Sequence, residues 1–260
     1  MQMAFWLPIV SLWRRELVRF ARDRNRLFGA IGQPLVFWLL LGAGFEKSFA
    51  PQGISSGYLE YIYPGILLLI LLFTAIFSTI SVIEDRREGF MQSVLVAPVS
   101  RIGLVLGKVL GGGTLAFLES LIFLVFLAFL DIPISIASLG LTLIFLAVMG
   151  IALTALGFAI AWQASSTAGF HAVMNLLLFP MWALSGAFFP AEGASRWLAY
   201  LMAINPLTYG MDGLRQSLYL TTSGANTHFW FCGIISVAFA ALTLSAAVWQ
   251  VCRKELRIKN

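Results

Sequence analysis

The chain has 260 residues, of which 60% are apolar and only 11% charged, with a formal charge of +5. Mean hydropathy is +0.89. A water-soluble domain of this length exposes far more charge, so the composition excludes a soluble globular protein and points to a polytopic membrane protein.

Residues 1–26 carry Arg14, Arg15, Arg19, Arg22, Arg24 and Arg26, interleaved at helical spacing with Trp6, Ile9, Val10, Trp13, Leu17 and Phe20. This pattern reads as an interfacial helix on the cytoplasmic leaflet, with a plain basic anchor as the simpler alternative. A span needs roughly 20 mostly apolar residues. Six stretches qualify: 27–45, 60–83, 104–130, 136–162, 168–190 and 229–251. Backbone groups in lipid must pair within the segment, so these runs should be helices, and no alternating strands of a barrel are visible. The expected fold is an all-α membrane protein of six transmembrane helices forming a single domain. Within the runs only Lys108 and Glu119 are fully charged, with Glu60 at a boundary. The apolar start is too short for a signal peptide, so the first span should remain uncleaved.

Residues 46–59 form a polar outer loop, 131–135 a tight outer turn around Pro133, and 163–167 an inner turn. Residues 186–228 are too apolar for a free loop and too broken by Gly and Pro for a span. A pair of short re-entrant helices broken at Asn205-Pro206 fits this segment, buried by protein or lining a cavity; an amphipathic flap is the alternative. Asn205, Pro206 and Tyr209 are candidates for the outer mouth. Basic residues fix the orientation. Six lie in the N-terminal segment, four in Arg86, Arg87, Arg101 and Lys108, and four in Arg253, Lys254, Arg257 and Lys259, leaving Lys47, Arg196 and Arg215 opposite. Both termini should be cytoplasmic. The positive charge thus reads as an orientation signal, without the basic groove of a nucleic-acid binder.

Gly103, Gly107 and Gly111 recur every four residues at the start of the third span, a face that admits a close neighbour, either for packing alone or beside a pathway. Glu119 lies 11–15 residues beyond an inner boundary at 104–108, roughly 16–22 Å in. An ionised, unpaired acid at such depth costs about 3 kcal/mol. It is either a pathway or gating group or the acceptor of an interhelical hydrogen bond from Ser, Thr or Asn, such as Asn175.

Energy input needs a source. Gly103-Leu104-Val105-Leu106-Gly107-Lys108-Val109 has the wrong spacing and no hydroxyl for a Walker A loop, and Gly42 to Ser48 lacks the second Gly before Lys. His171 and His228 show no ligand spacing, so no metal is expected. Cys232 and Cys252 are twenty residues apart on one helix, about 30 Å, and cannot bridge. No catalytic triad can be assembled from these spacings.

The charged island Glu84, Asp85, Arg86, Arg87, Glu88 is followed by Phe90, Met91, Val94 and Leu95 and ends at Pro98 and Arg101. It reads as a short cytoplasmic helix with a charged head, Glu84 and Arg87 pairing at i, i+3, and an apolar knob. Charges would set register against a partner and the knob would supply binding energy. An orientation anchor is the alternative.

This segment resembles the first cytoplasmic loop of type-2 ATP-binding-cassette (ABC) exporter permeases. Glu84, Glu88-Gly89 and Leu95-Val96-Ala97-Pro98-Val99-Ser100-Arg101 match, while Phe90 and Gln92 replace the family's usual Thr and Glu. Leu184 to Pro190, Asn205 to Tyr209, Asp212 to Arg215 and Tyr63-Pro64-Gly65 also match. The chain is similar to the branch of drug-resistance permeases and polysaccharide and lipo-oligosaccharide exporters. The resemblance implies a multi-pass protein of a bacterial or archaeal cytoplasmic membrane, without an ATPase site of its own. It implies docking of the N-terminal helix and residues 84–101 on a separate ATPase that binds ATP and Mg, with two permeases and two ATPases per transporter. Drugs, lipids and lipid-linked glycans are the implied substrate classes. An ion-driven transporter, which wants more intramembrane charge than Glu119, and a non-transporting scaffold are the rivals.

Overall fold

A computed structural model describes residues 3–45, 57–96, 99–130, 132, 134–191, 194–219 and 227–258. Lys47 with most of its loop, the Pro133 turn, Ala97, Pro98, Gly193, Gly224 and Lys259 lie outside the described residues, as do the side chains of Arg26, Leu95, Lys254 and Arg257.

The described residues are about 90% helical and contain no strand. In order it forms α1 (Met3–Arg22), α2 (Arg24–Phe45), α3 (Tyr58–Arg87), α4 (Phe90–Val96) and α5 (Arg101–Leu124). It continues with α6 (Ile136–Gln163), α7 (Thr167–Trp182), α8 (Arg196–Ile204), α9 (Pro206–Leu218) and α10 (Thr227–Ile258). A 3-10 turn extends α5 through Phe129, and a wide turn continues α7 over Ala183–Ala187, kinked at Gly186. Six helices are long and apolar enough to cross a membrane: Phe28–Phe45, Tyr58–Arg87, Arg101–Phe129, Ile136–Gln163, Thr167–Ala187 and Thr227–Arg253. Their starts fall within three residues of the sequence expectation, but α3 runs past its apolar stretch to Arg87.

Local chemistry sets the starts. Ser100, Ser135 and Ser166 each accept a hydrogen bond at 3.0 Å from the backbone N–H three residues on, those of Gly103, Ser138 and Gly169. Each supplies an acceptor to a donor left free in a first helical turn. Asn205 does the same for Leu207, at 3.1 Å, with Pro206 pre-set for the first turn of α9.

Helix α3 is the axis of the bundle: 94% of its most apolar stretch is buried, against 22% for each of α2, α7 and α10. Helices α2, α5, α6 and α7 pack around it, and α10 closes on α6 and α9. Pro64 lacks an N–H, so the Glu60 carbonyl one turn back loses its helical donor. The Tyr219 hydroxyl at the end of α9 donates to that carbonyl at 2.9 Å. The Trp182 indole donates to the Gly65 carbonyl at 2.7 Å, and a Cβ on Gly65 would lie 2.7 Å from that of Ala187. The proline of α3 is therefore held by α7 and α9 together.

Helix α1 packs chiefly on α5. A Cβ on Gly107 would lie 2.7 Å from the Leu12 Cβ and 3.1 Å from the Ile9 carbonyl oxygen, and one on Gly111 would lie 2.8 Å from the Glu16 Cβ. Gly103 is buried on the same helix. The stripe that α1 buries is Ile9, Leu12, Glu16 and Phe20. Of the apolar positions expected to share a face, Ile9 and Phe20 lie in this stripe, whereas Trp6 (62% exposed) and Val10 (53%) point away from the bundle.

Replacing Gly107 with Leu should destabilise the protein by about 1–3 kcal/mol through overpacking against α1. Gly140→Ala, whose added Cβ meets nothing within 4 Å, should leave the thermal midpoint of the detergent-purified protein unchanged. Equal midpoints for both variants would refute the close α1–α5 contact.

Candidate functional site

The charged island does not form one outward head. Asp85 sits in the last turns of α3, fully buried, with its carboxylate turned toward α1 and α5. Arg15 grips it in a bidentate pair, Nη1 to Oδ2 at 2.8 Å and Nη2 to Oδ1 at 2.5 Å. Arg19 adds Nη1 to Oδ1 at 2.7 Å and also donates to Glu84 at 2.8 Å. Lys108, from the start of α5, donates to Asp85 Oδ2, to Glu16 Oε1 at 2.7 Å and to Ser81 Oγ at 3.2 Å. Ser81 in turn donates to Glu16 Oε2 at 2.7 Å. All three ammonium protons of Lys108 thus have acceptors. Arg15, Arg19 and Lys108 balance Glu16, Glu84 and Asp85, and the network ties α1, α3 and α5 at one end of the bundle, here the basal end. The hydrogen bonds to Asp85 raise the pKa of Arg15 above its ordinary value, keeping the guanidinium charged.

Arg86 points the other way. It donates to the carbonyls of Trp162 at 2.7 Å, Ala161 at 3.1 Å and Ala164, capping the end of α6. A cation on the last carbonyls of a helix satisfies orphan acceptors and meets the negative end of its dipole. The expected Glu84–Arg87 pair gives way to other partners: Glu84 pairs with Arg19, and Arg87 reaches the Ser165 carbonyl at 3.5 Å. Helical spacing would allow the pair, but Arg19 of α1 takes the Glu84 carboxylate and the exposed end of α6 offers Arg87 a carbonyl. Only Arg87 and Glu88 of the five are exposed.

Gly89 then turns the chain with a φ of +79°, a conformation glycine adopts without penalty, so the island is two helices rather than one. Helix α4 is anchored by Met91, buried, and by Phe90, whose ring lies 3.8 Å beneath the Arg15 guanidinium. Val94 is half-buried, Gln92 and Ser93 are exposed, and Val96 is 88% exposed. Arg101 is the first residue of α5 and is half-buried. Beside Arg87, a recess of about 420 Å³ lies between the end of α6 and the start of α7, lined by Gln163, Ser165, Gly169 and Phe170.

Glu119 is buried, and its partner is of the expected Ser, Thr or Asn kind, a threonine rather than Asn175. Its Oε2 accepts from Thr74 on α3, while Asn175 lies exposed on α7. The Glu119 Oε1 is buried without a hydrogen-bond partner among the described residues. At the opposite, distal end, Asn205 donates to the Met181 carbonyl at 2.6 Å, and Tyr209 donates to the Ala203 carbonyl at 2.8 Å and packs edge-on against Phe231. These residues and Pro206 hold the α8–α9 corner. Gly186, with a φ of +86°, offers its carbonyl to Tyr61 at 3.2 Å and to Arg215 at 2.8 Å.

Sequence reasoning missed Glu16. The signal was present: an acid in a strongly basic helix, and a lysine inside a span that needs a counter-ion.

A profile of the family described as ABC-2 type transporter matches residues 8–219, from within α1 to the end of α9. The chain belongs to the ABC-2 type transporter family. A relative, the putative transport permease ycf38 of Cyanophora paradoxa, is 30% identical over 214 residues, 81% of this chain and 74% of its own length. Nodulation protein J of Rhizobium leguminosarum bv. viciae is 25% identical over 82% of each chain. The probable multidrug ABC transporter permease YbhR of Escherichia coli K12 is 25% identical over 63% of this chain and 44% of its own. Membership in this family makes the chain a membrane permease and implies an ABC ATPase as its partner.

Lys108→Met in this ABC-2 permease should strongly destabilise it, by about 3–5 kcal/mol, because buried carboxylates lose their cation. Adding Glu16→Gln should recover part of that loss. Thermal unfolding of the single and double variants checks both, and strictly additive losses would refute the coupling.

Proposed function

We propose that the chain is the permease subunit of an ABC exporter, forming the substrate path and driven by a separate ATPase that binds ATP and Mg. The observation that carries this reading is the attachment of α4. It is joined to α3 through Glu88 and Gly89, stacked on α1 through Arg15 and Phe90, and linked through Asp85 and Lys108 to α5. A push on α4 therefore reaches three helices at once, which suits the input point of a machine powered from outside the membrane. The basal end is the cytoplasmic side in this reading, in keeping with its basic residues. Helix α1 lies in the interface with Trp6, Leu7 and Val10 toward lipid, and both termini are cytoplasmic. The α8–α9 pair is re-entrant at the outer mouth. Two copies of the permease and two of the ATPase make the transporter in a cytoplasmic membrane.

The ATPase-facing surface in this reading is narrower than residues 84–101. It consists of Arg87, Glu88, Gln92, Ser93 and Val96 together with the recess by Ser165 and Gly169; Asp85 and Arg86 act behind it as internal braces. For the substrate, the naming of the Escherichia coli relative as a multidrug permease and the scarcity of charge in the spans support an amphipathic cargo, whether drug, lipid or lipid-linked glycan.

The test is co-expression with the ATPase and ATP-driven uptake into inside-out vesicles. Combining Arg87→Glu, Glu88→Lys and Val96→Asp should cut co-purification of the ATPase at least about tenfold, the loss expected when anchor contacts worth more than 1 kcal/mol each are removed, while the permease alone unfolds at its normal temperature. Undiminished association would sink docking through this face. Glu119→Gln, which keeps an acceptor for Thr74, should leave ATP-driven uptake within about twofold of the parent, a change below 1 kcal/mol. Loss of transport with a normal fold would instead assign the carboxyl a working role.

A further inference from the structure

The distal end holds a cluster of donor side chains contributed by α9 and α10. Asp212 and Gln216 lie four residues apart on α9, and His228 and Cys232 lie four apart at the start of α10. Residues at this spacing share a helix face, so each helix presents a pair of donor side chains to the other. The two helices are held close by apolar packing beneath the cluster. A Cβ on Gly213 would lie 2.1 Å from the Phe145 ring, one on Gly210 2.6 Å from the Met149 thioether, and Phe145 packs edge-on against Phe229 at 5.6 Å. The backbone of α9 therefore sits against α6 and α10 with no room to drift inward.

One ligand atom each from Asp212, His228 and Cys232 lie within 4.8 Å of one another. The Cys232 Sγ to His228 Nδ1 distance is 3.6 Å. A tetrahedral zinc ion, with Zn–S about 2.3 Å and Zn–N about 2.05 Å, places those two atoms about 3.6 Å apart. The Asp212 carboxylate, with an oxygen within 4.8 Å of both atoms, is the third donor. Gln216 supplies a second, independent observation. Its Nε2 is 3.1 Å from the same His228 nitrogen, while its Oε1 is buried with no hydrogen-bond partner among the described residues. A half-turn of the amide exchanges these atoms and brings an oxygen to the edge of the cluster. His228 is exposed and Asp212 half-buried above the fully buried Cys232, which gives an ion a way in from the surface. Arg215 is 4.0 Å from Asp212 and is also engaged by the Gly186 carbonyl and by the Tyr61 ring, 4.5 Å from the guanidinium carbon.

We propose that Asp212, His228 and Cys232 form a zinc site that joins α9 to α10, with Gln216 at its edge. The mixed nitrogen, sulfur and oxygen set suits zinc and does not suit calcium or magnesium, which take oxygen ligands. On binding, the Cys232 thiol gives its proton to solvent and its sulfur bonds the ion; no electron is transferred.

The experiment uses the full-length chain in lipid nanodiscs, purified without a histidine tag and carrying Cys252→Ser so that Cys232 is the sole thiol. Anaerobic titration with cobalt(II) should give one equivalent bound, with a thiolate-to-cobalt charge-transfer band and tetrahedral ligand-field bands, all displaced by zinc. Loss of a partner that merely orients a metal ligand lowers affinity about 10–100-fold, so His228→Ala and Asp212→Asn should each weaken binding at least about tenfold. Cys232→Ser should abolish the charge-transfer band. Zinc should raise the thermal midpoint of the parent and not that of His228→Ala, a variant on an exposed residue that keeps the test valid should Cys232→Ser fold poorly. Absence of the charge-transfer band in the parent, its persistence in Cys232→Ser, or equal zinc stabilisation of parent and His228→Ala would overturn the site and leave adventitious binding only.

Discussion

Everything at the basal end depends on one buried ammonium. Lys108 stands within α5, where an unpaired charge is expensive, and it is made tolerable by acceptors from α1 and α3 rather than from its own helix. Because those acceptors lie on two different elements, satisfying Lys108 fixes the relative positions of three helices. The glycines at 107 and 111 permit the approach and the charges set its register. Such a network contributes little net stability against an apolar equivalent, but removing any one member leaves the others exposed to the low dielectric. The assembly is therefore intolerant of partial disruption, a useful property where one helix must follow another.

The same rule governs the backbone. At several places where the helical ladder is interrupted a side chain from elsewhere covers the break: Arg86 over the end of α6, Ser138 donating to the Ser217 carbonyl at 2.7 Å at the end of α9, and Asn205 between α7 and α9. In water these groups could be left to solvent. In a bilayer each is a cross-link between segments, so irregular backbone becomes the means by which distant parts of the chain are joined.

Span positions, the α8–α9 break and the polar island after the second span were legible in the sequence because apolar length, proline and charge density are local properties; the division of that island at Gly89 was not. The directions of individual side chains were not. Asp85, Arg86 and Arg87 are consecutive, yet one faces the core, one faces α6 and one faces out, a consequence of helical phase that composition does not carry. Glu119 was correctly read as needing a partner, but Thr74 and Asn175 are equally plausible from sequence and only packing separates them. Glu16 and the α9–α10 cluster were missed for a further reason: each pairs residues on helices that meet only in three dimensions, 92 positions apart for Glu16 and Lys108.

The proline in α3 carries a mechanical consequence. A helix lacking one rung is softest at that rung, and here the missing rung is replaced by a phenol belonging to α9. The stiffness of the central helix is thus on loan from a short helix at the far end of the bundle. Whatever draws Tyr219 away frees the Glu60 carbonyl and lets α3 flex at Pro64, while whatever presses α9 home straightens it. The two ends of the permease can communicate through the curvature of a single rod.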